Sequence, residues 1–177
     1  MTTLVRSASL THFAQVAAAC GLDARALVAE AGLPARCLDE PDLKVPARGV
    51  GMLLELAALR AREPAFALRM VESRRLSNLG PLALLLRDEP TLRDALELLA
   101  RHIHVHNEAL TVHVEQAGGL VVIREHLAAE GATSTRQATE LAIGVTFRVL
   151  GLFLGVGWQA RDGPAGREDR AALRGAA

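Results

Sequence analysis

The sequence predicts an α+β domain that is mostly helical, with helices packed on a small antiparallel β-hairpin. Three observations lead to this fold class. Half of the 177 residues are hydrophobic, which is enough to build the core of one domain. Most segments place apolar residues three and four positions apart, as amphipathic helices do. One segment, near residues 110–127, instead alternates apolar and polar residues, as a half-buried strand does.

The N-terminal part of the chain predicts two short helices. The first begins near Ser9 and ends at a glycine turn, and Asp23 is placed to cap the second. Two such helices resemble a helix-turn-helix. The second, however, offers only Arg25 as a basic group and also carries Glu30, whereas a recognition helix presents several polar or basic groups. We therefore expect that this pair does not bind DNA.

Prolines and glycines divide the middle of the chain into three further helices. Pro46 suits the first turn of a helix that Glu63-Pro64 ends. A shorter helix around Phe66 follows. The pair Gly80-Pro81 then opens a leucine-rich helix, which Pro90 ends.

The clearest helical signal starts at Thr91, which forms a capping-box pattern with Asp94. Apolar residues then follow at helical spacing, namely Leu92, Ala95, Leu96, Leu99 and Ile103. The pair Gly118-Gly119 suits a two-residue turn between two strands. That register places His113 opposite Arg124 and His126 opposite Thr111 on the polar face. A long, mostly buried helix is predicted to follow the hairpin.

Half of the six histidines lie at alternate positions in the stretch RHIHVHN. If the helix persists there, His102 and His106 face its leucine-lined side while His104 points away, but an early strand would project all three to one side. Either geometry offers two ligands, whereas zinc sites use three or four protein ligands. We therefore predict no metal site and interpret these histidines as helix-end residues beside a groove. A metal- or haem-associated sensor that uses His102 and His106 remains an alternative.

Composition and missing motifs argue against several classes of function. A formal net charge of zero argues against nucleic-acid binding by this chain. Because the chain lacks nucleophile-elbow, phosphate-loop and dinucleotide-binding motifs, we expect neither an enzyme nor a cofactor. Cys20 and Cys37 lack Cys-x-x-Cys spacing and suit a reducing cytoplasm. Arg148 interrupts the most apolar segment, so we expect no membrane association.

The order of the segments LGPLALLLRDEP, TLRDALELLARHIHVHNEAL and RQATELAIGVTFRVL resembles one branch of AraC-type bacterial transcription regulators. The similarity is to their N-terminal effector-binding (arabinose-binding-like) region. It spans Leu10 to Trp158 and is strongest from Leu79 to Leu150. The resemblance implies a cytoplasmic domain that senses a small-molecule effector and signals to a separate C-terminal domain with two helix-turn-helix units.

The chain departs from this pattern after Trp158, where relatives continue into further strands and a DNA-binding domain. Residues 159–177 contain only Leu173 as a large apolar residue and predict a flexible tail. We therefore interpret residues 1–158 as an effector-sensing domain that is incomplete at its C-terminal end and truncated before the DNA-binding domain. Exposed apolar faces would favour a homo-oligomer. A dimerisation or partner-binding fragment is the second alternative to effector sensing.

The predicted effector site lies between the long helices and the hairpin. Its members are the polar residues His106, Asn107, Arg124 and Gln137 and the apolar residues Leu99, Ile103 and Leu141. The charged members favour an effector with a carboxylate or hydroxyl group. The expected mechanism is a population shift between two domain arrangements, driven by an effector that prefers one of them.

Overall fold

The computed structural model describes residues 2–117, 120–128, 135–155, 158 and 171–174. In chain order the elements are β1 (Leu4–Arg6), α1 (Phe13–Ala19), α2 (Ala24–Glu30), β2 (Lys44–Pro46), α3 (Ala47–Ala61), α4 (Phe66–Glu72), α5 (Pro81–Asp88), α6 (Leu92–His106), β3 (Leu110–Ala117), β4 (Leu120–Leu127), α7 (Arg136–Leu154) and β5 (Ala171–Arg174). Single turns of 3-10 helix occur at Ser7–Leu10, Ala35–Leu38 and Leu76–Leu79. The predicted α+β class is confirmed.

The N-terminal half contains a small sheet that the sequence did not predict. Strand β1 pairs antiparallel with β2 and places Val5 opposite Val45, and both side chains are buried. Each strand has three residues, too few for an alternating pattern to be visible. The valines belong to a first buried cluster, built mainly from α1 to α4, in which the rings of Phe13 and Phe66 lie 5.7 Å apart.

Two helices begin at the capping residues that the sequence predicts. The Asp23 carboxylate accepts from the backbone N–H of Arg25 at 2.9 Å, and the Thr91 hydroxyl accepts from that of Asp94 at 3.1 Å. The first helix differs from its prediction. It begins at residue 13 rather than near residue 9, because His12 adopts a left-handed backbone with φ of 69°.

Strands β3 and β4 form the predicted hairpin in the predicted register. Thr111 lies opposite His126, and His113 lies opposite Arg124. The two glycines proposed for the turn lie outside the described residues. Strand β5 pairs with the other edge of β4, so the sheet order is β3-β4-β5. Residues 159–170 and 175–177, which make up the rest of the predicted flexible tail, also lie outside the described residues.

Helix α7 joins the two halves of the domain because it packs against α3, α4 and β4. Its C-terminal half contributes Val149 and Leu150 to a second buried cluster, which also includes side chains of α5, α6 and the hairpin. The helix is one-sided rather than mostly buried as predicted, since Phe147 and Leu152 are exposed. By length and composition α7 could cross a membrane, a test that core helices of globular domains also meet.

Candidate functional site

A cavity of about 100 Å³ lies where the two buried clusters meet. Its walls come from α3, α6, α7 and the hairpin, with a contribution from β1. The first cluster supplies Val5, Val50, Leu54 and Leu141, and the second supplies Leu79, Leu99, Ile103, Leu110 and Val112. Most of the lining is therefore apolar, and both halves of the domain form it.

The polar lining of the cavity is sparse, and its charged members are basic. The polar side chains are Ser9, Arg48, Arg74, His106, Asn107, Thr135 and Thr146. No aspartate or glutamate lines the cavity within the part of the chain that the structure describes. Arg48 is exposed, whereas Arg74 is 5% exposed. The site therefore presents a positive charge within a largely apolar surface.

Arg74 is a buried cation that forms no salt bridge within residues 2–117, 120–128 and 135–155. Its guanidinium donates to the backbone carbonyl of Ser9 and, at 3.4 Å, to that of Thr11. The Nε atom is buried and has no hydrogen-bond partner in the part of the chain that the structure describes. Burial lowers the pKa of Arg74 to about 10, so the side chain still carries its charge at neutral pH.

Ser9 presents a second unused donor beside Arg74. Its carbonyl oxygen accepts from the Arg74 guanidinium, while its hydroxyl is buried and has no partner among the residues described. Burying a polar group without a partner costs about 1–3 kcal/mol. Two donors that lack an acceptor thus lie on residues that touch each other and line the same cavity.

His106 ends α6 and is buried against Arg6. The Arg6 Nη1 group lies 3.3 Å from His106 Nδ1, and because a guanidinium only donates, Nδ1 accepts and Nε2 carries the ring proton. Burial lowers the pKa of His106 to about 4, and the charges of Arg6 and Arg74 contribute in the same direction. The imidazole is therefore neutral at pH 7.

Asn107 makes the turn from α6 into β3. Its backbone N–H donates to the carbonyl of Ile103 at 2.8 Å, and its side-chain oxygen accepts from the N–H of Ala109 at 3.0 Å. This local turn satisfies the end of the helix and holds Asn107 in the lining of the cavity.

The structure brings five of the seven predicted contacts together. Leu99, Ile103, His106, Asn107 and Leu141 all line the cavity, and their role in ligand binding remains a prediction. Their convergence follows from the helical period of α6 and from the packing of α7 beside it.

Gln137 and Arg124 do not line this cavity. The Gln137 side chain accepts from the N–H of Ala67 at 2.9 Å and donates to the carbonyl of Pro64 at 2.8 Å, so it fastens α7 to the start of α4. Arg124 forms an ion pair with Glu115 on the hairpin. Both polar groups are occupied by partners within the protein.

Neither Ser9 nor Arg74 was predicted from the sequence to line the cavity. Arg74 belongs to an Arg-Arg pair after a short helix, a pattern typical of a solvated loop. Its burial arises from a contact across 65 positions of the chain, which no local spacing encodes. Only the three-dimensional packing places the two residues at one wall of the cavity.

The histidine cluster takes the helical one of its two predicted geometries. His106 is buried, His102 is partly buried and His104 is exposed. Among the residues that the structure describes, no three His, Cys, Asp or Glu side chains are grouped as a metal site requires. The Arg6 cation at His106 Nδ1 opposes metal binding at that nitrogen through charge repulsion.

Comparison with known proteins identifies the family of this domain. The chain belongs to the family described as the arabinose-binding domain of AraC transcription regulators, N-terminal, which matches residues 21–162. This confirms the resemblance noted in the sequence. The family is a regulator domain rather than a class of enzyme.

Two similar relatives are the HTH-type transcriptional regulators VirS of Mycobacterium tuberculosis strains CDC 1551 / Oshkosh and ATCC 25618 / H37Rv. Each is 26% identical to this chain over 161 residues, which cover 90% of the chain and 47% of the relative. The chain therefore spans about half the length of the curated relatives it matches.

Proposed function

We propose that this domain binds a small-molecule effector in the cavity between the two buried clusters, as the sensing part of an AraC-type transcription regulator. The observation that carries this proposal is the composition of the walls, which come from both halves of the domain. A ligand in the cavity touches α3, α6, α7 and the hairpin together. It therefore favours one packing of the halves over another and shifts the population towards it.

In this proposal the domain acts in the cytoplasm, and a separate domain contacts the operator DNA. The charges on α2 support that division. Arg25 pairs with Asp39 at 3.2 Å, and Glu30 pairs with Arg60 at 2.6 Å. The two charges within each pair neutralise each other. Helix α2 therefore lacks the basic face that phosphate contacts require.

The proposal also includes self-association, since several large apolar side chains are exposed, among them Leu59, Leu84 and Leu152. Burial of such side chains in an interface is favourable. Light scattering coupled to size-exclusion chromatography over a hundredfold range of concentration tests this part. A dimer is expected, and a monomer throughout the range would contradict it.

The effector site is tested by thermal-shift screening of the 177-residue chain against small acids, alcohols, amides and sugars. Saturable stabilisation by at least one compound class is expected, because a ligand that binds only the folded state raises the melting temperature. Ala142→Phe fills the cavity, since Ala142 lines it. This variant is expected to lose the ligand-induced shift.

The matched control is Ala14→Phe, which adds the same ring at an exposed position of α1 outside the lining. It is expected to keep the shift. Each variant is compared with its own ligand-free melting temperature, because an added ring in a packed region itself costs about 1–3 kcal/mol. A full ligand shift in Ala142→Phe would place the binding site elsewhere.

A further inference from the structure

The wall formed by Ser9 and Arg74 has donors but lacks an acceptor. The Ser9 hydroxyl and the Arg74 Nε are both buried and lack a partner within the described ranges of the chain. A hydrogen bond between the guanidinium and the Ser9 carbonyl joins the two residues. Ser9 is 7% exposed and Arg74 5% exposed, so bulk water does not readily satisfy them. Neither donor atom is itself exposed to the cavity, so a ligand with acceptor oxygens at this wall would satisfy both donors after the side chains that cover them shift.

Charge decides which kind of acceptor fits best. Arg74 is a buried cation with no salt bridge among the described residues, and the described lining of the cavity contains no carboxylate. A buried charge without a counter-charge is unfavourable, and an anion beside it removes that cost. A guanidinium Nε–H and a hydroxyl both form short, strong hydrogen bonds with a carboxylate. A neutral ligand would leave the Arg74 charge without a counter-charge.

The remainder of the cavity sets the size and polarity of the ligand. Apart from its few polar groups, the lining consists of aliphatic side chains such as Leu54, Leu99 and Ile103. A volume of about 100 Å³ suits a body no larger than an aromatic ring or a short alkyl chain. A sugar would bring more hydroxyl groups than these walls can satisfy.

We infer that the site takes a compact monocarboxylic acid, whose carboxylate accepts from Arg74 Nε and the Ser9 hydroxyl and whose apolar body contacts the aliphatic walls. This inference rests on the proposed effector function and narrows it to one chemical class. The described lining also offers such a ligand other polar groups, namely those of Arg48, neutral His106 through Nε2–H, Asn107, Thr135 and Thr146.

Isothermal titration calorimetry of the 177-residue chain with benzoate and hexanoate tests this inference, with benzamide and hexanamide as neutral analogues of the same shape. The acids are expected to bind at least about tenfold more tightly than their amides, since the amides lack the charge that pairs with Arg74.

Ser9→Ala is the most informative variant, because the hydroxyl has no partner among the described residues and its removal leaves none of them newly unsatisfied. Its melting temperature is expected to equal or exceed that of the wild type, because the variant no longer buries a hydroxyl without a partner, while the affinity for benzoate falls about five- to tenfold. Ser7→Ala is the matched control. The Ser7 hydroxyl donates to the Leu43 carbonyl at 2.8 Å and does not line the cavity. This control is expected to lose stability but to keep its affinity.

Arg74→Gln removes the charge and is expected to abolish the preference for acids over amides. Its control, Arg36→Gln, makes the same change at an exposed arginine outside the lining and is expected to keep that preference. Circular dichroism establishes that each variant is folded. If Arg74→Gln fails to fold, Ser9→Ala still decides the question.

The outcomes separate this inference from the proposed function. In one outcome, acids and amides bind equally well, and Ala142→Phe abolishes their binding while Ser9→Ala and Arg74→Gln leave it unchanged. This result would overturn the carboxylate assignment and leave the cavity as the effector site. Acid binding that survives Ala142→Phe would overturn both. A preference for acids that Arg74→Gln abolishes, together with weaker acid binding in Ser9→Ala, would support the carboxylate assignment and the proposed function.

Discussion

Arg6 donates from Nη1 to Nδ1 of His106 over 3.3 Å, and this bond joins strand β1 to the last residue of α6 across 100 positions of the chain. The same guanidinium donates to the carbonyl of Leu79 at 3.3 Å and pairs with Asp42. Arg6 therefore fixes the imidazole at the edge of the cavity and determines which ring nitrogen carries the proton.

Burial of His106, together with the Arg6 charge beside it, makes the stability of the domain depend on pH. His106 has a folded-state pKa of about 4, below its ordinary value of 6.5, so the unfolded chain binds a proton first as the pH falls. The contribution is fully present above pH 6.5 and is lost as the pH falls from 6.5 towards 4. We expect a loss of about 3 kcal/mol in the free energy of unfolding over that window.

Urea denaturation at intervals between pH 7.5 and pH 4 measures this dependence. His106→Gln removes the titrating ring and is expected to flatten the profile within the window, whatever its effect on stability at pH 7.5. His104→Gln is the control, since His104 is exposed on the same helix, and it should retain the wild-type profile. Identical slopes in His106→Gln and the wild type would contradict the assignment.

Gly80 is expected to tolerate no side chain. Its φ is 63°, and a Cβ atom would collide with the Arg6 guanidinium. Gly80→Ala should lower the free energy of unfolding by about 2 kcal/mol or more, through backbone strain and displacement of Arg6. Gly151→Ala, inside α7, is the control, because a Cβ there meets no described atom within 4 Å apart from the adjoining backbone of the helix. The control should be neutral or stabilising by up to about 1 kcal/mol in denaturation experiments.

Gln137 is expected to act on stability and not on ligand binding. Gln137→Ala leaves the N–H of Ala67 and the carbonyl of Pro64 without their partner, so unfolding should become easier by about 3 kcal/mol. The affinity of the folded variant for benzoate should stay within twofold of the wild type. Gln15→Ala, at an exposed position of α1, should change stability by less than about 0.5 kcal/mol. A loss of benzoate affinity in Gln137→Ala without a loss of stability would show that Gln137 belongs to the binding site.

Glu125 is expected to weaken the fold at neutral pH. Burial raises the pKa of its carboxyl group, although a hydrogen bond from Thr146 partly opposes that shift. Its Oε2 atom has no partner among the described residues. Its contribution to stability is therefore present below the ordinary pKa and is lost as the pH rises through the raised value. Glu125→Gln keeps the shape and should raise the melting temperature at pH 7 but not at pH 4. An equal change at both pH values would contradict this reading.

Local chemistry accounts for the parts of the fold that the sequence predicts. The side chains of Asp23 and Thr91 reveal helix starts because each satisfies nearby backbone donors. Alternation reveals the hairpin and its register, including His113 opposite Arg124. The period of α6 likewise places Leu99, Ile103 and His106 on one face.

Features that depend on contacts between residues far apart in the chain were not predicted from the sequence. The three-residue strands β1 and β2 are stabilised by each other and by the buried core, and neither has a pattern of its own. Gln137 and Arg124 resemble ligand contacts in sequence, yet both meet partners within the protein. The polar wall of the cavity depends on Ser9 and Arg74, which meet only after the chain has folded.

The central claim is that the cavity between the two clusters is the ligand site, and methyl-resolved NMR during a benzoate titration tests it most directly. The methyl signals of Leu99, Ile103 and Leu141, which line the cavity, should shift together and saturate with one dissociation constant. Those of Leu59 and Leu84, which are exposed and outside the lining, should stay in place. Shifts confined to Leu59 and Leu84, or no saturable shift at the cavity residues, would contradict the account.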